Sequence, residues 1–434
     1  MKLHHFPRNT PLITMKKELR CRASLNNLRD KGVSELRECS NKNFVSELLN
    51  RRWTLVNPDT KIHQIKIAKL ECEGGEPGIG FSFCNNSQPV LGEDMIMEGK
   101  REEEPSFYVA RDDLLHPLVN GNKARKLDGL IPLLEDHSAT DVRGLSSHLL
   151  LRGEQPNIPT GYNLISTMFG NTVYVPRSLY AKREEMLSRH AHIVAGDNGC
   201  VIEFNDILNA SFPTRRSEEI AIKSRAEKHR KRVVIINEGA GDAAALLGLI
   251  RLVNYLSQSH LFGKEKLLRI IVDSGTGTTA VGLRLGALCL GLPWEVTGVM
   301  LADTIEGYKK HEKHLISDFK KLFGSQYADH ALNQVDSDIV HWVERKQPRK
   351  FGNVLNGEID SCQQIAKQTG ILVDPIYTLS AWEYATQLCQ SENLGDTKIL
   401  MLHTGGTLGM FGLAQRYESF FHKLKTPLHI SLQH

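Results

Sequence analysis

The sequence contains no apolar run long enough to cross a membrane. Its best candidate, residues 296–302, is far shorter than the roughly 18 residues that a span needs. Charge of one sign is also scarce. The net charge is only +4 over 434 residues, which argues against nucleic acid as the main partner. Hydrophobic residues make up 41% of the chain and charged residues 24%, a composition that is ordinary for a globular protein.

Cysteine pairs and clusters are absent as well. The eight cysteines are dispersed along the chain, and no two of them form a C-x-x-C pair. A chain of this length does not need disulfides to stabilise a core, so we interpret the cysteines as reduced thiols in an intracellular compartment. No clustered metal-ligand spacing occurs, and no metal site is predicted.

Acidic residues are rare at the N-terminus. Over residues 1–30 basic residues dominate, with serine and several leucines between them. This composition is typical of a mitochondrial or plastid transit peptide, although a disordered basic tail has the same composition. We therefore predict that residues 1–55 form a transit peptide or a disordered segment.

The remainder of the chain alternates between apolar strand-like runs and helical patterns. Such alternation predicts βαβ units and a parallel sheet that helices cover on both faces. The predicted strands are residues 107–110, 147–151, 172–175, 233–236, 270–272, 295–301 and 398–403. The predicted helices are residues 123–136, 179–193, 215–232, 243–257, 279–290, 308–323, 357–369 and 380–390. Residues 71–105, rich in Gly, Glu and Pro, are predicted to be a loop.

A lysine stands where the first of these helices begins. The Asn120-Gly121 pair favours a turn, and Asn122 is suited to cap the helix. Lys123 then falls in the first helical turn, where the helix dipole disfavours a cation and lowers the pKa of the amine. A lysine that forms a Schiff base needs such a lowered pKa. Taken alone, however, the stretch is better explained as a solvated basic turn.

A glycine- and threonine-rich loop joins strand 270–272 to helix 279–290. Glycines allow close approach of the backbone, and N–H groups at a helix N-terminus together with threonine hydroxyls bind phosphate. No lysine follows the glycines, so the loop is not a Walker A motif. The alternative is a structural turn without a ligand. The residues of this candidate phosphate loop are Gly275, Thr276, Gly277, Thr278 and Thr279.

Two further loops follow strand-like runs and carry hydroxyl groups. Thr404 lies in the loop after strand 398–403, and Tyr377 lies in the loop after the apolar run 371–373. Ligands of open α/β sheets bind at the carboxyl ends of the strands, where both loops are expected. Individually, His403 is better explained as a buried histidine with satisfied hydrogen bonds, and Tyr377 as a packing residue.

Taken together, these features resemble a known family. The stretch from Asn120 to Asp128 is similar to the lysine motif of the D-cysteine desulfhydrase and 1-aminocyclopropane-1-carboxylate (ACC) deaminase family, and the loops follow in family order over residues 60–420. The resemblance, strongest to the plant mitochondrial branch, implies a pyridoxal phosphate (PLP) enzyme of fold type II. It implies a tryptophan synthase β-like fold with two open, mostly parallel sheets, a homodimer, and a mitochondrial location with the plastid as the alternative.

The resemblance also implies roles for individual residues. Lys123 is expected to be the Schiff-base lysine and the base that moves the substrate proton, and residues 275–279 are expected to hold the cofactor phosphate. Thr404 is expected to meet the pyridine nitrogen, and Tyr377 to lie beside the ring on the substrate side. A small amino acid is therefore the expected substrate, with neither nucleic acid nor membrane as a partner.

The pyridine partner favours one activity within the family. ACC deaminases place Glu after the tyrosine and use a carboxylate at the nitrogen, whereas Thr378 follows Tyr377 here. The expected partner of the nitrogen here is the hydroxyl of Thr404, which precedes a pair of glycines. A hydroxyl partner makes the cofactor a weaker electron sink, which suffices to release a thiolate but less readily opens a cyclopropane ring. The implied reaction is conversion of D-cysteine to pyruvate, ammonia and hydrogen sulfide, with ACC deamination as the alternative.

One part of the family pattern is missing. Arg143 directly follows the run 139–142, where the family has a glycine-rich turn that binds the substrate carboxylate, and then a helix. A segment on the order of 20 residues is absent, given usual element lengths. We predict a large domain of residues 60–125 and 230–434 and a truncated small domain of residues 126–215. A catalytically impaired PLP-binding chain is therefore a further alternative.

Overall fold

The computed structural model describes most of the chain from residue 44 onward. The described residues are 44–70, 80–92, 104–119, 121–137, 145–204, 206, 231–324, 335–391, 395–422 and 424. The strands are β1 Ile62–Leu70, β2 Gly80–Asn86, β3 Ser106–Ala110, β4 His148–Arg152, β5 Asn171–Val175, β6 Cys200–Glu203, β7 Arg232–Ile235, β8 Leu268–Ser274, β9 Trp294–Met300, β10 His341–Glu344 and β11 Lys398–Leu402. The helices are α1 44–49, α2 Asn122–His137, α3 Gly161–Phe169, α4 Arg177–Tyr180, α5 Arg183–Ala195, α6 Leu246–Leu256, α7 Thr278–Cys289, α8 Ile305–Phe319, α9 Glu358–Thr369, α10 Thr378–Ser391, α11 Gly409–Arg416 and α12 Glu418–His422.

The largest sheet of the described structure has seven strands in the order β10-β9-β8-β11-β3-β1-β2. The strands from β10 to β3 are parallel, and β1 and β2 are added antiparallel at one edge. The central strand β8 is almost fully buried, as expected of a parallel strand with helices on both faces. The predicted α/β class with a mostly parallel sheet is confirmed.

Hydrophobic cores lie on both faces of this sheet. On one face, the apolar sides of α2, α6, α7 and α8 surround buried residues such as Trp294. On the other face, Trp382 of α10 meets the rings of Phe83 and Phe107 edge-on, at centroid distances of 5.4 and 5.1 Å. None of the described helices is both long and apolar enough to span a lipid bilayer.

Two sequence predictions at the N-terminal side are wrong. The loop predicted over residues 71–105 contains β2, which pairs with β1 along its whole length. The segment predicted to be a transit peptide or disordered extends too far, because Phe44, Val45 and Leu48 of α1 are buried in the large core. The helix predicted over residues 215–232 lies outside the described residues.

Outside the seven-stranded sheet the described strands form two separate pairs, and β7 lies beyond the small domain predicted over residues 126–215. Strands β4 and β5 form one parallel pair, and β6 and β7 form another. Helix α3 has no buried residue, although it carries Met168 and Phe169, which are 73% and 76% exposed. Such exposed apolar side chains are what a domain without one of its strands and helices would leave. The predicted gap between residues 142 and 143 falls outside the described residues.

Helix α2 contributes one face to the large core. The boundary predicted at residue 126 falls inside this helix, and the side chains of Leu130 and Leu133 are buried further along it. The helix lies so close to α6 that a Cβ on Gly248 would be 1.9 Å from the carbonyl oxygen of Arg125. Only glycine allows this approach, which fixes the position of α2 on the sheet.

A buried carboxylate ties α2 to its surroundings. Asp128 is fully buried, accepts a hydrogen bond from the backbone N–H of Leu55 at 2.7 Å, and pairs with Arg251 of α6 at 2.8 Å. The guanidinium of Arg251 also lies 4.7 Å above the ring of Trp53. These contacts hold the segment before β1 against the helix that carries Lys123.

Replacing Asp128 by Asn removes the charge and keeps the shape of the side chain. We expect the free energy of unfolding to fall by about 3 kcal/mol, because Arg251 is left mostly buried without its counterion. Urea denaturation followed by circular dichroism measures this change. Asp136→Asn on the same helix is the matched control, since its pair with Arg52 is exposed and contributes at most about 1 kcal/mol. Equal losses in the two variants would contradict the role of the buried pair.

Candidate active site

The first turn of α2 lies on the loop that follows β11. The N–H of Asn122 donates to the carbonyl oxygen of Thr404 at 3.1 Å. Gly121 adopts a positive φ of 65°, and a Cβ at this position would lie 1.8 Å from the same oxygen. Two loops far apart in sequence are thereby joined through their backbones, and Lys123 follows directly after the junction.

The side chain of Asn122 does not cap the helix as predicted. Asn122 is the first helical residue, and its Nδ2 donates to the hydroxyl of Thr279 at 3.1 Å. The helix that carries the lysine is therefore connected to the candidate phosphate loop. Sequence spacing could not have shown this contact, because the two residues are 157 positions apart.

A buried ion pair anchors the same turn of α2. Arg125 and Asp112 have fully buried side chains and form two hydrogen bonds, from Nε at 3.0 Å and from Nη2 at 2.8 Å. The carbonyl oxygen of Asp112 also accepts from the N–H of Gly121 at 2.8 Å. Lys123 thus stands on a helical turn that is fixed from both sides.

The pKa of Lys123 is lowered, as predicted, but for a different main reason. The protein crowded around the ammonium group disfavours its charge, and the carboxylates of Asp273 and Glu238 only partly offset this effect. The side chain itself remains accessible to solvent. Within the described residues, Nζ of Lys123 makes a hydrogen-bond contact with Oδ1 of Asn122, at a long distance of 3.5 Å. Lys123 is therefore available to a ligand as an amine.

A second lysine lies beside it and was not singled out from the sequence. Lys126 is 1% exposed, and its Nζ donates to the carbonyl oxygen of Gly239 at 3.1 Å. Burial, followed by repulsion from Lys123, lowers its pKa well below the usual value. The sequence did carry a signal for it: Lys126 follows Lys123 by three positions, and residues three apart lie on the same face of a helix.

The candidate phosphate loop connects β8 to α7 and starts the helix. Gly277 has a φ of 84°, which places it in the left-handed region just before the first helical residue. Thr278 and Thr279 are buried, and the hydroxyls of Thr276 and Thr278 are 3.1 Å apart. The first N–H groups of a helix have no intrahelical partner, so this loop presents backbone and hydroxyl donors to an anion.

Tyr308 of α8 supports this loop from the protein side. Its hydroxyl lies 2.5 Å from the carbonyl oxygen of Ser274 and 2.9 Å from that of Gly275, and it accepts from the N–H of Leu301 at 3.2 Å. The ring is stacked on Trp342 at 4.8 Å. Because Tyr308 binds the carbonyl oxygens of Ser274 and Gly275, the backbone of the candidate phosphate loop is held in place.

Tyr377 is positioned by the carboxylate of Asp374. One oxygen of Asp374 accepts from the N–H of Tyr377 at 2.9 Å, and the other accepts from the hydroxyl of Thr378 at 2.9 Å. The Tyr377 ring lies beside Gly275, and Phe351 meets it edge-on at 5.7 Å. Burial, with help from Asp374, raises the pKa of Tyr377 strongly, so its hydroxyl stays protonated.

Thr404 lies in the loop after β11 and contacts the end of β8; the space among Lys123, residues 275–279, Tyr377 and Thr404 is called the cleft below. Its side chain is 7% exposed, and its hydroxyl donates to Oδ1 of Asp273 at 2.5 Å. The neighbouring His403 is fully buried with Nε2 3.1 Å from the carbonyl oxygen of Leu372, as expected for a structural histidine. Asp273 was not identified from the sequence. Its signal was a carboxylate between a buried strand and a loop suited to phosphate.

The predicted site residues meet around the loops that follow β3, β8 and β11, at the carboxyl ends of these parallel strands. Gly239 stands between two of them, because a Cβ there would lie 3.8 Å from Nζ of Lys123 and 3.6 Å from Cγ2 of Thr276. The space that a side chain would fill is therefore flanked by an available amine and a phosphate-type loop. These donors fit a phosphorylated aldehyde. Among the described residues no group of three His, Cys, Asp or Glu side chains is arranged to bind a metal ion.

Comparison with known proteins places the chain in a family. No protein-family model matches the sequence. The chain is 52% identical over 402 residues to a rice (Oryza sativa subsp. japonica) protein named "Putative D-cysteine desulfhydrase 2, mitochondrial", which covers 87% of this chain and 95% of the rice protein. The chain belongs to the D-cysteine desulfhydrase and ACC deaminase family. The resemblance stated from the lysine motif is confirmed.

More distant members share most of the chain. An Arabidopsis thaliana protein named "Bifunctional D-cysteine desulfhydrase/1-aminocyclopropane-1-carboxylate deaminase, mitochondrial" is 21% identical over 70% of this chain and 73% of its own length. A crystal structure described as an ACC deaminase homologue is 24% identical, covers 73% of this chain and 89% of its own, and has a TM-score of 0.49. Members of the D-cysteine desulfhydrase and ACC deaminase family use PLP, which confirms the predicted cofactor.

The lowered pKa of Lys123 predicts selective chemical reactivity in the cofactor-free protein. At neutral pH a limiting amount of an acid anhydride should modify Lys123 faster than the exposed Lys367 of α9, because a lowered pKa leaves more of the amine uncharged. Lys126 should remain unmodified, because it is buried. Peptide mass spectrometry measures the three rates. Modification of Lys123 no faster than Lys367 would contradict the electrostatic account.

Proposed function

We propose that this chain is a PLP-dependent lyase that converts D-cysteine and water to pyruvate, ammonia and hydrogen sulfide. The observation that carries the proposal is the pair of contacts by which Asn122, the residue before Lys123, joins the loop of Thr404 and the loop of residues 275–279. D-cysteine desulfhydrase is the name given to the rice relative and forms part of the name of the Arabidopsis one.

The residues of the cleft would divide the binding of the cofactor. Lys123 would hold the aldehyde carbon, since its lowered pKa favours the uncharged amine. The hydroxyls and N–H groups of residues 275–279 would hold the phosphate, and Thr404 would face the ring nitrogen. When bound, PLP supplies an electron sink for negative charge at the substrate Cα.

Lys123 and Tyr377 would carry the proton transfers. Lys123 is the group that would remove the α-proton of D-cysteine, because its lowered pKa makes it available as a base. Tyr377 remains a neutral donor because its pKa is strongly raised. Its hydroxyl would then protonate or orient the departing sulfur, rather than act as a base.

The surroundings of Thr378 favour D-cysteine over ACC. Both the hydroxyl and the N–H of Thr378 bind Asp374 within the protein, at 2.9 and 3.3 Å. The side chain after Tyr377 is therefore a small structural group and not a carboxylate turned towards the ring. Sulfide is a better leaving group than a ring carbon, so this site suits the less demanding reaction.

The first test combines purified protein, PLP and D-cysteine and measures sulfide and pyruvate together. The wild-type chain should form both products in equal amounts, and Lys123→Ala should form neither above the rate of free PLP. Lys367→Ala is the matched control and should behave as wild type. Product formation by Lys123→Ala at the wild-type rate would contradict the proposed role, and release of ammonia from ACC without sulfide from D-cysteine would favour the alternative activity.

Tyr377→Phe tests the role of the second residue. We expect kcat for D-cysteine to fall about 100-fold, the lower range for an acid–base group, while PLP affinity stays near that of wild type. Steady-state kinetics and a fluorescence titration with PLP measure the two quantities. Tyr255→Phe is the control, since its hydroxyl contacts the carbonyl oxygen of Thr60 at 3.5 Å, outside the cleft. An unchanged kcat would remove Tyr377 from the mechanism.

A second candidate is a PLP-binding chain with impaired turnover. It is favoured by the two separate two-stranded sheets outside the seven-stranded sheet and by the lack of any buried residue in α3. Such a chain would show the absorbance of bound PLP but would form no sulfide. Insertion of a family-type substrate-carboxylate loop after residue 142 should then restore turnover, which an intact enzyme would not need.

The remaining proposals concern assembly and location. We propose a homodimer, on the strength of the family resemblance, and light scattering during gel filtration tests it. We propose a mitochondrial location because two relatives are named mitochondrial and because residues 1–30 are basic. Fusion of residues 1–55 to a fluorescent protein distinguishes the mitochondrion from the plastid.

A further inference from the structure

A carboxylate lies directly behind the residue expected to meet the cofactor nitrogen. Asp273 is 3% exposed and stands near the carboxyl end of β8, next to β11, whose following loop carries Thr404. Their contact, 2.5 Å from the hydroxyl oxygen to Oδ1, joins positions 131 residues apart. Thr404 and the buried Asp273 therefore form one hydrogen-bonded pair.

A threonine hydroxyl has a single hydrogen, and here Asp273 receives it. The hydroxyl oxygen then has only lone pairs to offer to any other partner. A pyridine nitrogen beside the Thr404 hydroxyl oxygen could form a hydrogen bond with it only in the protonated form, in which the nitrogen is the donor. A hydroxyl whose hydrogen is free could instead donate to an unprotonated nitrogen. The two directions differ in the charge that they favour on the ring.

We propose that Asp273 is a positioning residue that fixes the direction of the Thr404 hydroxyl, so that Thr404 accepts a hydrogen bond from a protonated cofactor nitrogen. The inference rests on the proposed function, because it takes Thr404 as the nitrogen partner. A protonated ring withdraws electrons more strongly than a neutral one. The pair would therefore give a hydroxyl site part of the electron-withdrawing strength of a carboxylate site.

The charges around Asp273 make the arrangement sensitive to pH. Burial raises its pKa to about 7, with Asp374 raising it further and the Thr404 hydrogen bond and Lys123 lowering it. Lys126 of α2 and Tyr377 of the Asp374 loop also lie within its field. Above this pKa the ionised carboxylate accepts a hydrogen bond from the Thr404 hydroxyl. Below it the protonated carboxyl group can donate to Thr404 instead, so that the threonine hydrogen can turn towards the cleft. A cofactor cation would favour the ionised form.

The test is the protonation state of the ring nitrogen in the holoenzyme. The protein is loaded with ¹⁵N-labelled PLP, and the ¹⁵N chemical shift separates a protonated from an unprotonated nitrogen. The wild-type holoenzyme should give the protonated shift at and above neutral pH. Asp273→Asn should give the unprotonated shift, because it removes the negative charge that orients the threonine hydrogen and stabilises a cation on the ring.

Two further variants keep the test decisive if Asp273→Asn does not fold. Thr404→Val removes the acceptor and should lose the protonated signal, whereas Thr404→Ser keeps the hydroxyl and should retain it. Glu312→Gln changes another buried carboxylate, one that binds Trp342 at 2.7 Å, and should leave the nitrogen shift unchanged. This control separates the Asp273 effect from the general loss of a buried charge.

The outcomes distinguish this inference from the proposed function. A protonated signal that survives in both Asp273→Asn and Thr404→Val would overturn the inference while leaving the lyase activity intact. An unprotonated nitrogen in the wild-type holoenzyme would also overturn it. A wild-type chain that retains no PLP would refute the proposed function itself, and the inference with it.

Discussion

The buried ion pair between Arg125 and Asp112 is the constraint on which the cleft depends. Both side chains are withdrawn from water, so the loss of either partner would leave an uncompensated charge, at a cost of about 3–5 kcal/mol. The pair holds the first turn of α2 against the loop after β3, and the backbone of Asp112 fixes Gly121 in front of it. Lys123 is thereby held in a defined position near the carboxyl ends of the parallel strands.

The cleft combines three kinds of polar group. The backbone and hydroxyl donors at the start of α7 suit an anion, and the lowered pKa values of Lys123 and Lys126 leave their amines readily deprotonated. The carboxyl groups of Asp273 and Asp374 are each hydrogen-bonded to a threonine hydroxyl. A ligand that carries a phosphate, an aldehyde and a ring nitrogen matches these groups.

The sequence was sufficient for the strand-end loops, because each carries its glycines and hydroxyls within a few residues. It was not sufficient for contacts between loops, such as Asp273 with Thr404 or Asn122 with Thr279, which only the order of the strands brings together. Charge alone also misled: Lys126 was grouped with a solvated turn, although its helix face is buried. Strand β2 was not predicted because it lies in a stretch rich in Gly, Glu and Pro, which favours a loop.

The most direct test of the central claim, that this fixed turn presents Lys123 to the cofactor, is to locate the covalent attachment. The protein is incubated with PLP, reduced with borohydride, digested and mapped by mass spectrometry. The account predicts a single phosphopyridoxyl group on Lys123 and its loss in Lys123→Arg. Attachment to Lys126 or to surface lysines, or the same labelling in Lys123→Arg, would contradict the account.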